Sequence, residues 1–218
     1  MAQKFDTKVK SMDRADAVPE KPPRGRPREF DRDQALESAM RLFWSKGFLG
    51  TSNTDLCQAM GISSPSLYAA FGSKEQLYIE AIGRYTLVSS ASIWHHLIDA
   101  ATAREGIQKA LLAAAEAMPE NELLPAGCMI TLATVGDECP RTVAEALKHS
   151  RLAGLALIRE TIERGVSAGE LPKVTDVSAL ARFFASVVQG MAIQARDGAT
   201  KADLLPVAKI AMSAWQTP

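Results

Sequence analysis

The sequence lacks a surplus of either charge: 25 lysines and arginines balance 25 aspartates and glutamates over 218 residues. Whole-chain charge therefore gives no reason to expect a polyanionic partner. No apolar run approaches the roughly 18 residues that span a bilayer, so no membrane partner is expected. The opening MAQKFDTKVKSMDRAD has no apolar core of a secretory signal, and a cytoplasmic location is expected. Cysteine is sparse. Cys57, Cys128 and Cys139 are odd in number and sit in helix-like contexts, which argues against a disulfide framework and suits reduced thiols. Histidine is equally sparse, at three residues. His95 and His96 are adjacent and point in different directions on a helix, a poor metal pair. Gly-rich phosphate loops, nucleophile elbows and metal-spaced clusters are missing, so no enzyme activity, metal or cofactor is expected. No alternating β-branched run is long enough for a strand, and no internal repeat occurs.

What is present is helix. The chain is 47% apolar, ample for a core. Residues 1–28 are polar and Pro-rich, a composition that predicts a flexible arm. Residues 1–30 carry 8 basic and 5 acidic side chains, a balance of +3. Such an arm suits nucleic acid, and a solvated tail explains it equally. A first helix is predicted over 32–46. Asp31 caps it with Gln34 at the capping-box position, Leu36, Ala39, Met40 and Phe43 share a face, and Gly47 supplies a left-handed stop. A second short helix runs from the Ser52 cap, with Asp55 three residues on, to Gly61. A third runs from the Ser63 cap, with Pro65 in its first turn, to Gly72. Ser73 and Gln76 open a long fourth helix reaching Ile98. Further helices are predicted at 104–117, 128–136, 140–168, 176–197 and 203–215.

Two short helices across a Gly-centred turn, from Ser52 to Phe71, fit a helix-turn-helix. Gly61 permits the turn. Leu56, Ala59, Ile62, Leu67 and Phe71 are expected to pack the pair onto the first helix. The outward face of the second helix of the pair is then free for the major groove, which admits one helix.

From about Glu29 to Ser89 the sequence resembles the TetR/AcrR DNA-binding domain. The resemblance is carried by G-F-x-x-T-S, by D-L-C-Q-A-M-G-I-S, by S-L-Y-x-x-F, and by G-S-K-E-Q-L at the fourth helix. The C-terminal part, with P-x-G-C-M before one helix and a long amphipathic pair, is similar to the ligand-binding domains of that family. The implied fold is all-α: an N-terminal three-helix helix-turn-helix domain over residues 29–89, then a larger helical effector-binding and dimerisation domain over 90–218. The implied partners are double-stranded operator DNA, a second copy in a homodimer, and an unidentified small-molecule effector. The implied activity is sequence-specific transcriptional regulation, expected to be repression that the effector relieves through the fourth helix.

The resemblance also implies roles. Ser52, Thr54, Ser64, Ser66, Tyr68 and Lys74 match family positions that touch DNA, and Pro65 and Ala69 complete the expected contact set. Hydroxyls, a phenol and an ammonium donate to phosphate oxygens, and Lys74 lies at a helix N-terminus that favours phosphate. Ser52 and Ser63 are caps whatever the function. The recognition helix departs from many relatives in carrying Ala69 and Ala70. No Arg, Asn or Gln lies over Ser64–Ala70 for a bidentate base contact, so readout is expected to rest on thymine methyls, hydroxyls and DNA shape. Arg24-Gly25-Arg26-Pro27-Arg28 contains an R-G-R-P core that resembles an AT-hook, and Arg24, Arg26 and Arg28 are expected to reach a narrow minor groove. A charged leader is the alternative.

In the sensing half, the helices over 141–168 and 176–197 are the expected dimer interface. Trp94, His95, Met118, Cys128, Met129, Leu132 and Phe184 are the candidate pocket residues, adaptable Met and aromatic surfaces that suit an apolar ligand. Ordinary core packing fits each of them as well. Cys128 lies near a predicted helix start, where a thiol can become reactive, although a plain buried cysteine is the commoner case.

Overall fold

The computed structural model describes residues 30–121, 124–133 and 139–216, with backbone alone at 89 and 90. Ten α-helices follow in order among these residues: α1 Arg32–Lys46, α2 Asn53–Met60, α3 Ser64–Phe71, α4 Lys74–Tyr85, α5 Ala91–Asp99, α6 Ala103–Ala117, α7 Met129–Leu132, α8 Arg141–Ser167, α9 Val177–Arg196 and α10 Lys201–Ala211. A short 3-10 turn, Met212–Ala214, closes the set. No strand occurs among the described residues, and the all-α expectation holds.

The helix starts are set by short polar side chains. The Asp31 carboxylate accepts from the Asp33 and Gln34 amides at 2.9 and 3.2 Å. Ser52 and Asp55 make a reciprocal capping box on α2, and Ser63 accepts from the Ser66 amide on α3. Each satisfies a backbone N–H that the helix itself leaves free. Glycines set the stops. Gly61 adopts the left-handed conformation, φ 65 and ψ 31, which only glycine enters without cost. Gly47 differs from its expected left-handed stop: its φ of 73 is paired with an extended ψ of 174, and its amide still donates to the Phe43 carbonyl.

The predicted single helix from Lys74 to Ile98 is interrupted. After Tyr85 the chain widens into a π-helical turn, Thr86–Ser90, before resuming as α5. The Thr86 hydroxyl donates to the Ile82 carbonyl at 2.9 Å. The run Thr-Leu-Val-Ser-Ser is also rich in weak helix formers that compete for backbone groups. Of the expected helix over 128–136, residues 134–136 lie outside the described residues, and the described part is a single turn, α7, followed by Ala133 with an extended ψ of 154.

Two hydrophobic clusters hold the fold. The first contains Ala39, Met40, Phe43, Leu56, Leu67, Phe71, Leu77 and Tyr78 from α1 to α4. It continues into Met129 and Ile130 of α7 and Val143 and Leu147 of α8. The second is built from α5, α6, α8, α9 and α10 around Leu97, Ile107, Leu111, Ile162, Phe184 and Met191. Val143, Leu147, Ile158 and Ile162 are all buried on α8, so one helix threads both cores. Ala59, expected in the packing of α2, is exposed, while Met60 takes the buried position. Hydrophobic burial of large side chains at 3- and 4-residue spacing is the main source of stability here.

Polar clamps add to it. Arg32 reaches Glu80 of α4 at 2.7 Å, the Ala70 carbonyl at 3.3 Å, and the Phe71 ring at 4.3 Å. The Glu170 carboxylate accepts from the Ala103 and Arg104 amides at the start of α6, both at 2.9 Å, where the helix dipole favours an anion. By length and composition α9 alone among the described helices is apolar enough to cross a membrane. In the fold, one face of it is packed in the second core through Ala181, Phe184, Val188, Met191 and Ala192.

Candidate nucleic-acid interface

The α2–α3 pair is pinned from below and open above. Leu56 on α2 and Leu67 on α3 are fully buried, and Phe71 is nearly so. Successive turns of α3 therefore divide cleanly. Leu67 and Phe71 face α1 and α4, while Ser64, Pro65, Tyr68 and Ala69 face outward. Ser66 is half-buried, and its hydroxyl lies 2.9 Å from that of Ser63. Tyr68 is 45% exposed, a large aromatic held at the surface. Its hydroxyl accepts from the Asn53 Nδ2 at 2.8 Å, so the first residue of α2 fixes the ring on α3.

Ser52 and Thr54 are exposed at the start of α2. The Ser52 hydroxyl and amide both donate to one Asp55 oxygen, at 2.7 and 2.9 Å, and Lys46 contacts the other at 3.2 Å. The Ser52 hydrogen bonds and the Lys46 charge hold the Asp55 carboxyl down, to about 2. Lys74 is the first residue of α4, and its ammonium sits 4.4 Å above the Phe48 ring. Partial burial there lowers its pKa. The surface thus presents hydroxyls, a phenol, a carboxamide and an ammonium from three helix starts. Such groups donate to phosphates and fix the register of a duplex. Arg24, Arg26 and Arg28 lie outside the described residues.

Sequence reasoning missed Asn53. The signal was present, because an Asn at the first position of α2 lies where its carboxamide can meet α3, but the pairing requires the bend of the turn.

A cavity of about 380 Å³ opens in the larger domain, lined from α4, α5, α7, α8 and α9. Of the candidate pocket residues, Trp94, Met118 and Cys128 line it. His95 does not: it is exposed, with its Nδ1 2.9 Å from the Ala91 carbonyl and its ring 3.9 Å from that of His96. Met129 and Leu132 line a different cavity, about 320 Å³, between α1 and α7. Phe184 is buried in the second core. Lining residues not foreseen include Tyr85, Ile130, Arg151 and Gly154. Burial, with Cys128 beside it, pushes the Tyr85 hydroxyl well above its ordinary value, so it stays a neutral donor.

A helix-turn-helix head with a polar outward face, joined to a helical domain that carries a cavity, defines a DNA-binding regulator by class. Comparison with known proteins specifies it further. Residues 35–81 match the model for bacterial regulatory proteins of the tetR family, and residues 106–203 match that of the tetracyclin repressor-like C-terminal domain. The chain is 34% identical over 193 residues to the HTH-type transcriptional repressor ComR of Escherichia coli, covering 88% of this chain and 92% of that protein. It is 30% identical to the repressor BdcR of the same organism, covering 88% and 93%. Among solved structures, a cysteine-substituted TetR family regulator CifR, complexed with a 26-bp double-strand operator DNA, superposes with a TM-score of 0.83. That match has 39% identity and covers 88% of this chain and all of CifR. The chain belongs to the TetR family of transcriptional regulators.

Proposed function

We propose that the protein is a homodimeric repressor that grips double-stranded operator DNA through α3 and lets go when a small-molecule effector fills the cavity of about 380 Å³. The observation that carries this reading is the split of α3 into a buried face at Leu67 and Phe71 and an outward face at Ser64, Pro65, Tyr68 and Ala69. An outward helix face of that size fits a major groove. Ser52, Thr54, Ser66 and Lys74 flank it as phosphate contacts, and Arg24, Arg26 and Arg28 extend the grip into the neighbouring minor groove. That the similar regulator CifR is complexed with a 26-bp double-strand operator DNA supports duplex DNA as the partner.

Pairing two copies through α8 and α9 places two copies of α3 on one face of the duplex. Large apolar side chains left outward on these helices support that interface: Leu152, Phe183 and Ile193 are 52%, 42% and 51% exposed. The head is residues 29–89 and the sensing domain 90–218, after a basic arm of 1–28. The π-helical turn at Thr86–Ser90 is the hinge between them, a common position for such a defect at functional sites. The protein works in the cytoplasm, where operators are, by binding rather than by catalysis, with no cofactor or metal.

The test is selection of bound sequences from a random duplex pool with the full chain, followed by a gel shift on the winning sequence. A dimeric complex on a two-fold symmetric site is the expected outcome. Failure to enrich any sequence at moderate salt would reject the reading.

A further inference from the structure

We infer that the cavity selects an organic monoacid, an apolar body about one or two rings in size carrying a single carboxylate, and that Arg151 is the residue that recognises the acid group. This rests on the cavity being the effector site, and it deepens that reading by naming the ligand class.

The walls settle the body of the ligand. Ile93, Trp94, Met118, Leu155, Ile158 and Val188 line the space, and these offer dispersion contacts and an aromatic face but no hydrogen bonds apart from the indole N–H. At about 380 Å³ the cavity lies near the small end of the roughly 300–1,000 Å³ range of ligand pockets. Gly154 sets part of that width: a Cβ built there would meet the Trp94 ring at 3.5 Å. A larger side chain at 154 would fill the space against the indole.

The charge pattern settles the head group. No aspartate or glutamate lines the cavity among the described residues, whereas Arg151 and His149 do. Among the described residues, the Arg151 guanidinium makes a single hydrogen bond, from Nη1 to the Ile130 carbonyl at 3.3 Å, and no ion pair. Other described arginines that reach a second element have stronger partners: Arg32 has Glu80, Arg84 has Glu37, Arg164 donates to Leu97 at 2.8 Å, and Arg196 donates to Trp44 at 2.8 Å. A planar guanidinium beside apolar walls with most of its donors unused is a receptor for a carboxylate, which takes two parallel bonds. A neutral ligand would leave those donors unmet, and an amine would be repelled.

The same contact couples the ligand to the DNA-binding head. Ile130, whose carbonyl Arg151 holds, is packed in the first core with Phe43, Tyr78 and Tyr85. A carboxylate that draws the guanidinium toward itself competes with that bond and loosens α7 from α8. Acid binding therefore differs between two arrangements of α7, as any effector must to shift an equilibrium.

Calorimetric titration of the full chain with phenylacetate, phenethyl alcohol and phenethylamine tests the inference. Arg151→Met, Arg151→Lys and Gly154→Leu serve as variants whose fold is checked by circular dichroism. The acid is expected to bind roughly tenfold or more tighter than the alcohol, with the amine weakest. That preference is lost in Arg151→Met, partly kept in Arg151→Lys, and all binding is lost in Gly154→Leu. Equal affinity for acid and alcohol, or an acid preference that survives Arg151→Met, overturns the ligand class. In that case, binding of a neutral naphthylamine dye that Gly154→Leu abolishes leaves the effector-site reading standing. Absence of binding by the dye and all three probes overturns both.

Discussion

Asn53, the first residue of α2, donates a 2.8 Å hydrogen bond to the hydroxyl of Tyr68 on the exposed face of α3. The two helices are thus joined on their outer side as well as through the buried Leu56 and Leu67. An exposed aromatic ring would ordinarily sample several rotamers. Here it is aimed before any duplex arrives, which lowers the ordering cost of binding.

Removing that bond should weaken DNA binding without unfolding the head. Tyr68→Phe keeps the ring and loses the hydroxyl, and Asn53→Ala keeps the hydroxyl and loses its holder. Both sites are exposed, so each change should move stability by less than about 0.5 kcal/mol. Operator affinity should fall by about 1 kcal/mol in each, and by less than the sum in the double variant, since both act through one contact. Fluorescence anisotropy on the selected operator, with urea unfolding alongside, measures both. Additive losses would show that the two side chains act independently.

Much of this head was legible in the sequence because its signals are local. Ser52 with Asp55, Ser63 and Gly61 mark helix ends within a few residues of where they act, and the spacing of Leu67 and Phe71 fixes which face of α3 is buried. The cavity was less legible. Arg151 meets Ile130, 21 residues away, and Arg196 meets Trp44, 152 residues away. Such contacts depend on how whole helices pack, so His95 read as a pocket residue turns outward while Arg151 lines the wall. The π-helical turn also escaped, because a widened turn preserves the helical pattern of apolar residues on either side.

Lys74 should contribute charge rather than sequence choice. Its ammonium lies over Phe48 at the start of α4, where a phosphate would meet both the cation and free amides. Lys74→Met should lower affinity similarly for the operator and for unrelated duplex. It should also reduce the slope of log affinity against log salt by about 0.9 per lost phosphate contact. A binding isotherm series across salt concentration gives the slope. An unchanged slope would remove Lys74 from the phosphate contacts.

Asp55 gives the start of α2 a dependence on acid. Its carboxyl is held at about 2 instead of the ordinary 3.8, mainly by the Ser52 hydroxyl and amide and then by Lys46. A depressed carboxyl stabilises the folded form above its unfolded value, and that contribution disappears as pH falls through the folded value. The loss should therefore span about pH 4 down to about 2, with no effect near neutrality. Carboxyl NMR titration should place the Asp55 midpoint near 2. Asp55→Asn should flatten this part of the stability profile, and a wild-type midpoint near 4 would mean that the capping box does not persist in solution.

Arg196 adds a hydrogen-bonded link between the sensing domain and the head, beside the apolar packing of α7 and α8 on the head. From the last turn of α9 it donates to the Trp44 carbonyl at 2.8 Å and the Ser45 carbonyl at 3.2 Å. These carbonyls end α1, where the helix dipole is negative and the acceptors have no partner within the helix. Arg196→Met keeps much of the aliphatic stem but leaves the part-buried Trp44 carbonyl without its donor, which should cost about 1 kcal/mol in urea unfolding. Arg196→Lys should recover part of this, since an ammonium can hold one carbonyl but not fork across two. Because the bond joins α9 to α1 directly, Arg196→Met should also blunt the release of operator by effector more than it weakens operator binding itself. Comparing effector-dependent dissociation with affinity in the absence of effector separates the two. A variant with lowered stability and full effector response would confine Arg196 to holding the domains together.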